Sequence, residues 1–330
     1  MQIAAILSVA DAADDFSVAP NEFLTERTGV NATIGLNSRV EVLGQSLLDR
    51  ALAKIDRFGV CSRTIVPHGD VNQLVTRSGA AVPATFVELW EQTVADYIRD
   101  GVDALLLVRL NGYTDLDYSE LLKCHAQSRA LLTSAYADDG ALDLALVQTS
   151  QLGNVHGGYR RALSGLISRQ SRFYYGGYVN RLATPQDFYA LLEDSLSGRC
   201  DLRPVGTETH ESVWRGADCE IDENAVIIGP SFVGARSRIA AGCTIAPGAV
   251  VECGCEIDCS TTIQESWIQQ NTYVGVALDV RRSIISRDTL FHLDRNISID
   301  IGEPNLIGAA TSTSLFAGLG SLLWGEGQAA

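Results

Sequence analysis

Lysine is nearly missing from this chain of 330 residues: Lys54 and Lys123 stand against 23 arginines. Chemistry that calls on an ammonium group therefore has two side chains to choose from. Basic charge as a whole is also short. The 25 cationic residues face 40 acidic ones, a formal charge of -15, which argues against non-specific binding to nucleic acid or to an anionic membrane surface. No apolar run reaches the length of a membrane-spanning helix. The opening MQIAAILSVADAADDF has neither the basic flank nor the long apolar stretch of a secretory signal, so a cytoplasmic protein is the expectation. Disorder-type composition is missing too, since 46% of residues are hydrophobic and 20% charged. Cysteine is present eight times, four of them close together at Cys243, Cys253, Cys255 and Cys259. The C-x-C-x3-C spacing among the last three lacks the paired knuckles of common zinc sites, and small buried or turn thiols are the expected reading.

The first 200 residues alternate strand-like and helix-like segments. QIAAILSV (2–9) is an apolar run suited to a buried strand. SLLDRALAKIDRFG (46–59) has a helix signature: Ser46 and Asp49 as a capping box, Leu48, Leu52, Ile55 and Phe58 as one stripe, and Gly59 as the stop. CSRTIVPH predicts a strand, 84–101 a helix, VDALLLVRL (102–110) a strand, 119–132 a helix and LALVQTS (144–150) a strand. Thr184, Pro185 and Asp187 open a helix that Gly198 closes. The alternation implies a mainly parallel sheet between helices.

From Ile221 the pattern changes. Aliphatic residues fall every sixth position at Ile221, Ile227, Val233, Ile239, Ile245, Val251, Ile257 and Ile263. A small residue follows four positions after each of the first seven: Ala225, Ser231, Ser237, Cys243, Ala249, Cys255 and Thr261. Neither helix nor ordinary strand has this period, and a parallel β-helix does. After Ile263 the register slips by one and resumes at Ile268, Val274 and Val280. The tail carries Leu315, Leu319, Leu322 and Leu323 at helical spacing, a segment expected to pack on its own domain or across an oligomer interface.

An α/β domain followed by hexapeptide repeats resembles the sugar-phosphate nucleotidyltransferases that carry a left-handed β-helix. The stretches that carry the resemblance are LNGYTDLDYSELLKCHAQSRALLTSA, YYGGYVNRLATPQDFYALLED and VWRGADCEIDENAVIIGPSFVGARSRIAAGCTIAPGAVV. The fold thereby implied is a Rossmann-like nucleotidyltransferase domain over 1–205 and a left-handed parallel β-helix over 206–330. The latter often mediates homo-oligomers in that family.

Nucleotidyl transfer gathers several negative charges, and so calls for a glycine-rich phosphate loop, cationic side chains and a metal. Laid against the family's pattern, LSVADAADDF puts Ala10 and Ala12 at the glycine places and Asp14 at the arginine place. EFLTERTGVNATIGLNSR lacks the first lysine, and Gln148 and Thr149 stand near the place of the second. Lys54 and Lys123 fall inside predicted helices, away from these places. Tyr113 replaces the metal carboxylate of the Asn-Gly-Asp motif, with Asp115 and Asp117 just downstream. The resemblance therefore implies an impaired relative that binds a sugar nucleotide or sugar phosphate without a cofactor. Its role would be regulatory or scaffolding, with a homo-oligomer and a partner enzyme as possible assemblies. Magnesium enters only if an active, atypical nucleotidyltransferase is the right alternative.

From Leu144 to Gln186 there is no Asp or Glu, while Arg160, Arg161, Arg169, Arg172 and Arg181 interleave with tyrosines and Phe173. Guanidinium groups bind phosphate and aromatic faces stack on sugars or bases. The expected ligand-binding set is Asn111, Tyr113, Asp115, His156, Gly157, Gly158, Arg160, Arg161, Arg172 and Tyr175. The competing reading is a solvated arginine face paired with acids elsewhere. Acyl transfer, another chemistry found on hexapeptide repeats, needs a histidine base, and none lies between His210 and His292.

Overall fold

A computed structural model of the chain describes residues 1–9, 36–67, 86–152 and 158–310. The chain divides into two compact units, Met1–Arg203 and Pro204–Ala330. The segment compared above with a phosphate loop (Ala10, Ala12 and Asp14), the glycine-containing stretch with His156 and Gly157, and the apolar tail from 311 onward lie outside the described residues.

In the first unit six strands make one sheet: β1 (Ile3–Val9), β2 (Ser62–Pro67), β3 (Ala104–Arg109), β4 (Leu132–Ala137), β5 (Gly140–Gln148) and β6 (Ser171–Tyr174). Their order is β2-β1-β3-β5-β4-β6. The pairs β1/β2, β1/β3 and β4/β6 are parallel. The pairs β3/β5 and β4/β5 are antiparallel, so the sheet is parallel-rich, as expected, with two antiparallel pairings. The cause is a hairpin that the sequence pattern hid. Helix α3 (Tyr118–Ser128) ends four residues before the expected 132 because Arg129 turns left-handed at φ 51°. Leu132 then opens a strand instead of closing a helix, and Asp138 and Asp139 form the turn into β5.

Alternation along β1 sends Ile3, Ala5, Leu7 and Val9 to one face and Ala4 and Ile6 to the other. The first face packs on α1 (Leu47–Phe58) and α3 through Ile55, Tyr118 and Leu121. The second packs on α2 (Phe86–Arg99) and α4 (Tyr159–Leu166) through Leu89, Trp90, Val94, Tyr97 and Tyr159. Caps fix the helix ends. Ser46 Oγ accepts from the Asp49 N–H at 3.0 Å, and Gly59 closes α1 at φ 84°. A complete capping box between Thr184 and Asp187 starts α5 (Pro185–Leu196). No described helix is long and apolar enough to cross a membrane.

In the second unit the aliphatic residues of the six-residue pattern form three rows. Ile221, Ile239, Ile257 and Val274 stand opposite one another on successive parallel strands. So do Ile227, Ile245, Ile263 and Val280, and so do Val233, Val251, Ile268 and Ile285. The rows belong to separate sheets of five, four and eight strands but share one apolar core. Arg236, Gly242, Gly248, Gly254 and Ser260, spaced six apart, all adopt positive φ between 56° and 76°. The side-chain period is thus also a backbone period. The slip after Ile263 is absorbed at Glu265 (φ 44°) and Ser266, where the strand-to-strand partner shifts from 18 to 17 residues away.

Of the seven small residues of the pattern, Ser237, Cys243, Cys255 and Thr261 are buried donors. Ser237 Oγ donates to the Glu252 carbonyl at 2.7 Å. The Cys243 thiol donates to Asp258 O and the Cys255 thiol to Gln269 O, each at 3.0 Å. All eight cysteines are free thiols, and among the described residues no group of three His, Cys, Asp or Glu could hold a metal ion.

Ile257 is 1% exposed, between Ile239 above and Val274 below. Ile257→Ala is expected to cost about 2–5 kcal/mol. Val226→Ala, on a strand of another sheet at 52% exposure, is expected to stay within about 0.5 kcal/mol of wild type. Urea denaturation of both variants checks the pair.

Candidate functional site

Parallel strands present their carboxyl ends, and the loops that follow them, to ligands. At the carboxyl end of β3 lies a cavity of about 380 Å³. Residues 108–114 form one wall, the β4–β5 turn and the start of β5 (139–144) another, residues 179–182 a third, and α1 contributes Arg50, Lys54 and Arg57. The 113–114 segment is held in place by pairing antiparallel with Val179–Asn180. Gly112 fits there because a Cβ would meet the Asn180 carbonyl oxygen at 3.0 Å.

Asn111 and Tyr113, singled out from the sequence, both line this cavity. The Asn111 amide donates to the Asp143 carboxylate. Asp143 adopts φ 51°, uncommon for a non-glycine residue. Burial raises its pKa, with Asn111, Arg109 and Arg181 opposing the rise. The Tyr113 hydroxyl donates to Asp115 Oδ1 at 2.8 Å, and Asp115 Oδ2 accepts from the Asp201 N–H at 3.0 Å. Burial first, then the bond to Asp115, pushes the Tyr113 pKa up. Both carboxylate oxygens of Asp115 are therefore engaged within the protein, and the group at the position where the resemblance would put a metal carboxylate is a protonated phenol. This donor set does not fit a magnesium ion.

The other described residues of the predicted set do not line the cavity. Arg160 and Arg161 stand in the first turn of α4, a helix whose amino end is already supplied with an anion. Glu91, on α2, takes the Tyr159 N–H at 2.8 Å and the Arg160 N–H at 3.0 Å with its two oxygens. A carboxylate occupies the place at which a phosphate was expected. Gly158 is the left-handed cap (φ 71°) of that helix. Arg172, on β6, lies over the Tyr136 ring at 5.0 Å. Tyr175 packs against the core shared by α1 and α3. The arginine-rich segment is thus distributed rather than convergent, and only Arg181 from it reaches the cavity, where Asp139 and the carbonyls of Gly140 and Ala141 take its donors. Thr149 is structural as well, its hydroxyl donating to Asp103 O at 3.0 Å.

Sequence reasoning missed Lys54. Expected away from the site, it lines the cavity. Its Nζ donates to the Thr114 carbonyl at 2.9 Å and lies 5.0 Å from the centre of the Tyr118 ring. Burial lowers its pKa to about 8, more than the raising effect of Asp115, Asp117 and Asp201. The signal available was its place on α1: Ile55 is buried and Ala53 exposed, and position 54 falls at the border of the two faces.

No family model matches the chain, and no curated protein matches it.

The geometry sets two expectations. Glu91→Ala leaves two helix-end N–H groups without their acceptor and is expected to cost about 1–2 kcal/mol, read by urea denaturation. Lys54 gives a pH signature. Between about 8 and 10.5 the folded amine has lost its proton while the unfolded one keeps it. The unfolded state then binds more protons, so Lys54 makes stability rise with pH across that window. The difference in melting temperature between wild type and Lys54→Met should therefore shift in favour of wild type as pH rises through it.

Proposed function

We propose that the protein is a non-catalytic relative of the sugar-phosphate nucleotidyltransferases, which binds a sugar nucleotide or sugar phosphate in the cavity at the carboxyl end of β3. In this reading the three aliphatic rows of the second unit belong to a left-handed parallel β-helix that joins copies of the chain. The role is regulatory or scaffolding, in the cytoplasm, alongside enzymes of sugar-nucleotide or polysaccharide metabolism.

The observation that carries the reading is the pairing of Tyr113 with Asp115 at the cavity wall. It favours a ligand site without transfer chemistry, because the position that would hold a metal carries a phenol and the nearest carboxylate is committed to the protein. Supporting it are the wall polarity from Asn111, Asp143 and Arg181 and the place of the cavity beyond parallel strands. One observation favours the alternative of an active, atypical nucleotidyltransferase: Lys54 brings a cation into the same cavity.

A melting-temperature panel with nucleoside triphosphates, sugar 1-phosphates and nucleotide sugars, each with and without magnesium, tests the reading. A ligand that binds only the native state adds about 2.7 kcal/mol at one hundred times its Kd. The expected result is a stabilisation by one sugar phosphate or nucleotide sugar that is the same without magnesium, with no pyrophosphate released from any triphosphate and sugar 1-phosphate. Magnesium-dependent pyrophosphate release would overturn it in favour of the enzyme.

A further inference from the structure

Lysine is scarce in this chain, and one of its two lysines is drawn partly out of water at a cavity wall. Lys123 is exposed on α3, whereas Lys54 is half-buried on α1 and lines the cavity. An ammonium removed from water costs free energy unless a counter-charge and hydrogen-bond acceptors replace it. Lys54 has three N–H donors, and among the described residues one of them is used, on the Thr114 carbonyl. No described carboxylate lies within ion-pair distance of it.

The charged and titratable groups around Lys54 can be named element by element. Arg57 lies on its own helix, Asp115 and Asp117 precede α3, Tyr118 is on α3, and Asp201 follows α5. Each acts through space or through its ring, and Asp115 is committed to Tyr113 and to the Asp201 N–H. Of the cavity arginines Arg50, Arg57, Arg109 and Arg181, two differ clearly. Arg50 gives its donors to the carbonyls of Gln45, Val42, Leu43 and Arg203, and Arg181 gives its own to Asp139, Gly140 and Ala141. The protein thus satisfies its cavity guanidinium groups at Arg50 and Arg181 from within and leaves the ammonium without an anion.

A compact ammonium is a point-charge partner for phosphate. The same cavity holds the Asn111 amide and the Asp143 carboxylate, groups that exchange hydrogen bonds with hydroxyls. Its volume of about 380 Å³ is near the lower end of small-molecule sites, which run from about 300 to 1,000 Å³.

We infer that Lys54 is the anion-binding residue of this cavity, and that the ligand it takes is a sugar monophosphate in preference to a nucleotide sugar. The inference rests on the proposed function and narrows its ligand class. It sets a pH window. A phosphate monoester becomes a dianion above a pKa of about 6, and Lys54 keeps its proton below about 8, so affinity is highest between the two. Binding takes up protons where Lys54 is partly neutral.

Isothermal titration calorimetry on the full chain tests this, with glucose 1-phosphate, glucose, glucuronate and UDP-glucose as probes, below and above the Lys54 pKa. Wild type, Lys54→Met, Lys54→Arg and Lys123→Met are compared. Lys54→Arg keeps the charge should Lys54→Met fail to fold. The expected result is that glucose 1-phosphate binds more tightly than the other three, that affinity falls above the Lys54 pKa, and that Lys54→Met lowers it about tenfold or more. Lys54→Arg should keep affinity above that pKa, and Lys123→Met should match wild type. Equal binding of glucose 1-phosphate by wild type and Lys54→Met would overturn the role of Lys54 while leaving the proposed function standing. UDP-glucose or glucuronate binding more tightly, with the same dependence on Lys54, would overturn the ligand class. Binding of none of the probes by wild type would overturn the inference, and failure of the whole melting-temperature panel would remove the proposed function beneath it.

Discussion

A parallel strand pair carries apolar side chains that must be covered by another layer. That constraint organises both units, and they meet it differently. In the first, α1 and α3 cover one face of the sheet while α2 and α4 cover the other. In the second, three sheets turn one face each toward a common core of valine, isoleucine and cysteine. Helices are then unnecessary there, and the burden passes to register: each aliphatic side chain must land on its equivalent in the next strand, and the corner residues must satisfy the carbonyls between. Ser237, Cys243 and Cys255 do so with a hydroxyl or a thiol.

Charge in the first unit is managed from within. Glu91 supplies an anion to the amino end of α4, Asp139 and two carbonyls absorb Arg181, and Asp115 is held between Tyr113 and Asp201. A protein handling several phosphates at once keeps cations uncommitted; here the cavity guanidinium groups of Arg50 and Arg181 are engaged and the ammonium of Lys54 is the contrast. The same logic explains why the described arginines of the acid-free stretch from Leu144 to Gln186 do not converge. Absence of Asp and Glu along the sequence says nothing about which acids arrive from other elements, and Glu91 and Asp139 both arrive from outside the stretch.

The repeat of the second unit was legible because its cause is local and periodic: every sixth residue is aliphatic, and the rows at Ile239, Ile245 and Val251 follow from spacing alone. The slip after Ile263 was legible for the same reason. Helix ends at Ser46, Gly59, Thr184 and Pro185 could be read because their residue types carry the capping chemistry. The β4–β5 hairpin could not, since Arg129 takes a left-handed conformation that glycine or asparagine would have announced. In the site, Asn111 and Tyr113 were legible from their place after an apolar strand. Lys54 was not, because a residue between the two faces of a helix is assigned by what packs over it, and Thr114 and Tyr118 lie about sixty residues further along the chain.

The register of the second unit also limits which lengths this chain can have. Strands partner at 18 residues, or at 17 once the corner at Glu265 and Ser266 drops one. An insertion or deletion within a strand row would displace every later side chain from the core to the outside, and the damage would grow with each strand that follows. Whole turns, or single residues at a corner already out of step, are the changes the architecture absorbs. Length variation in this unit is therefore quantised.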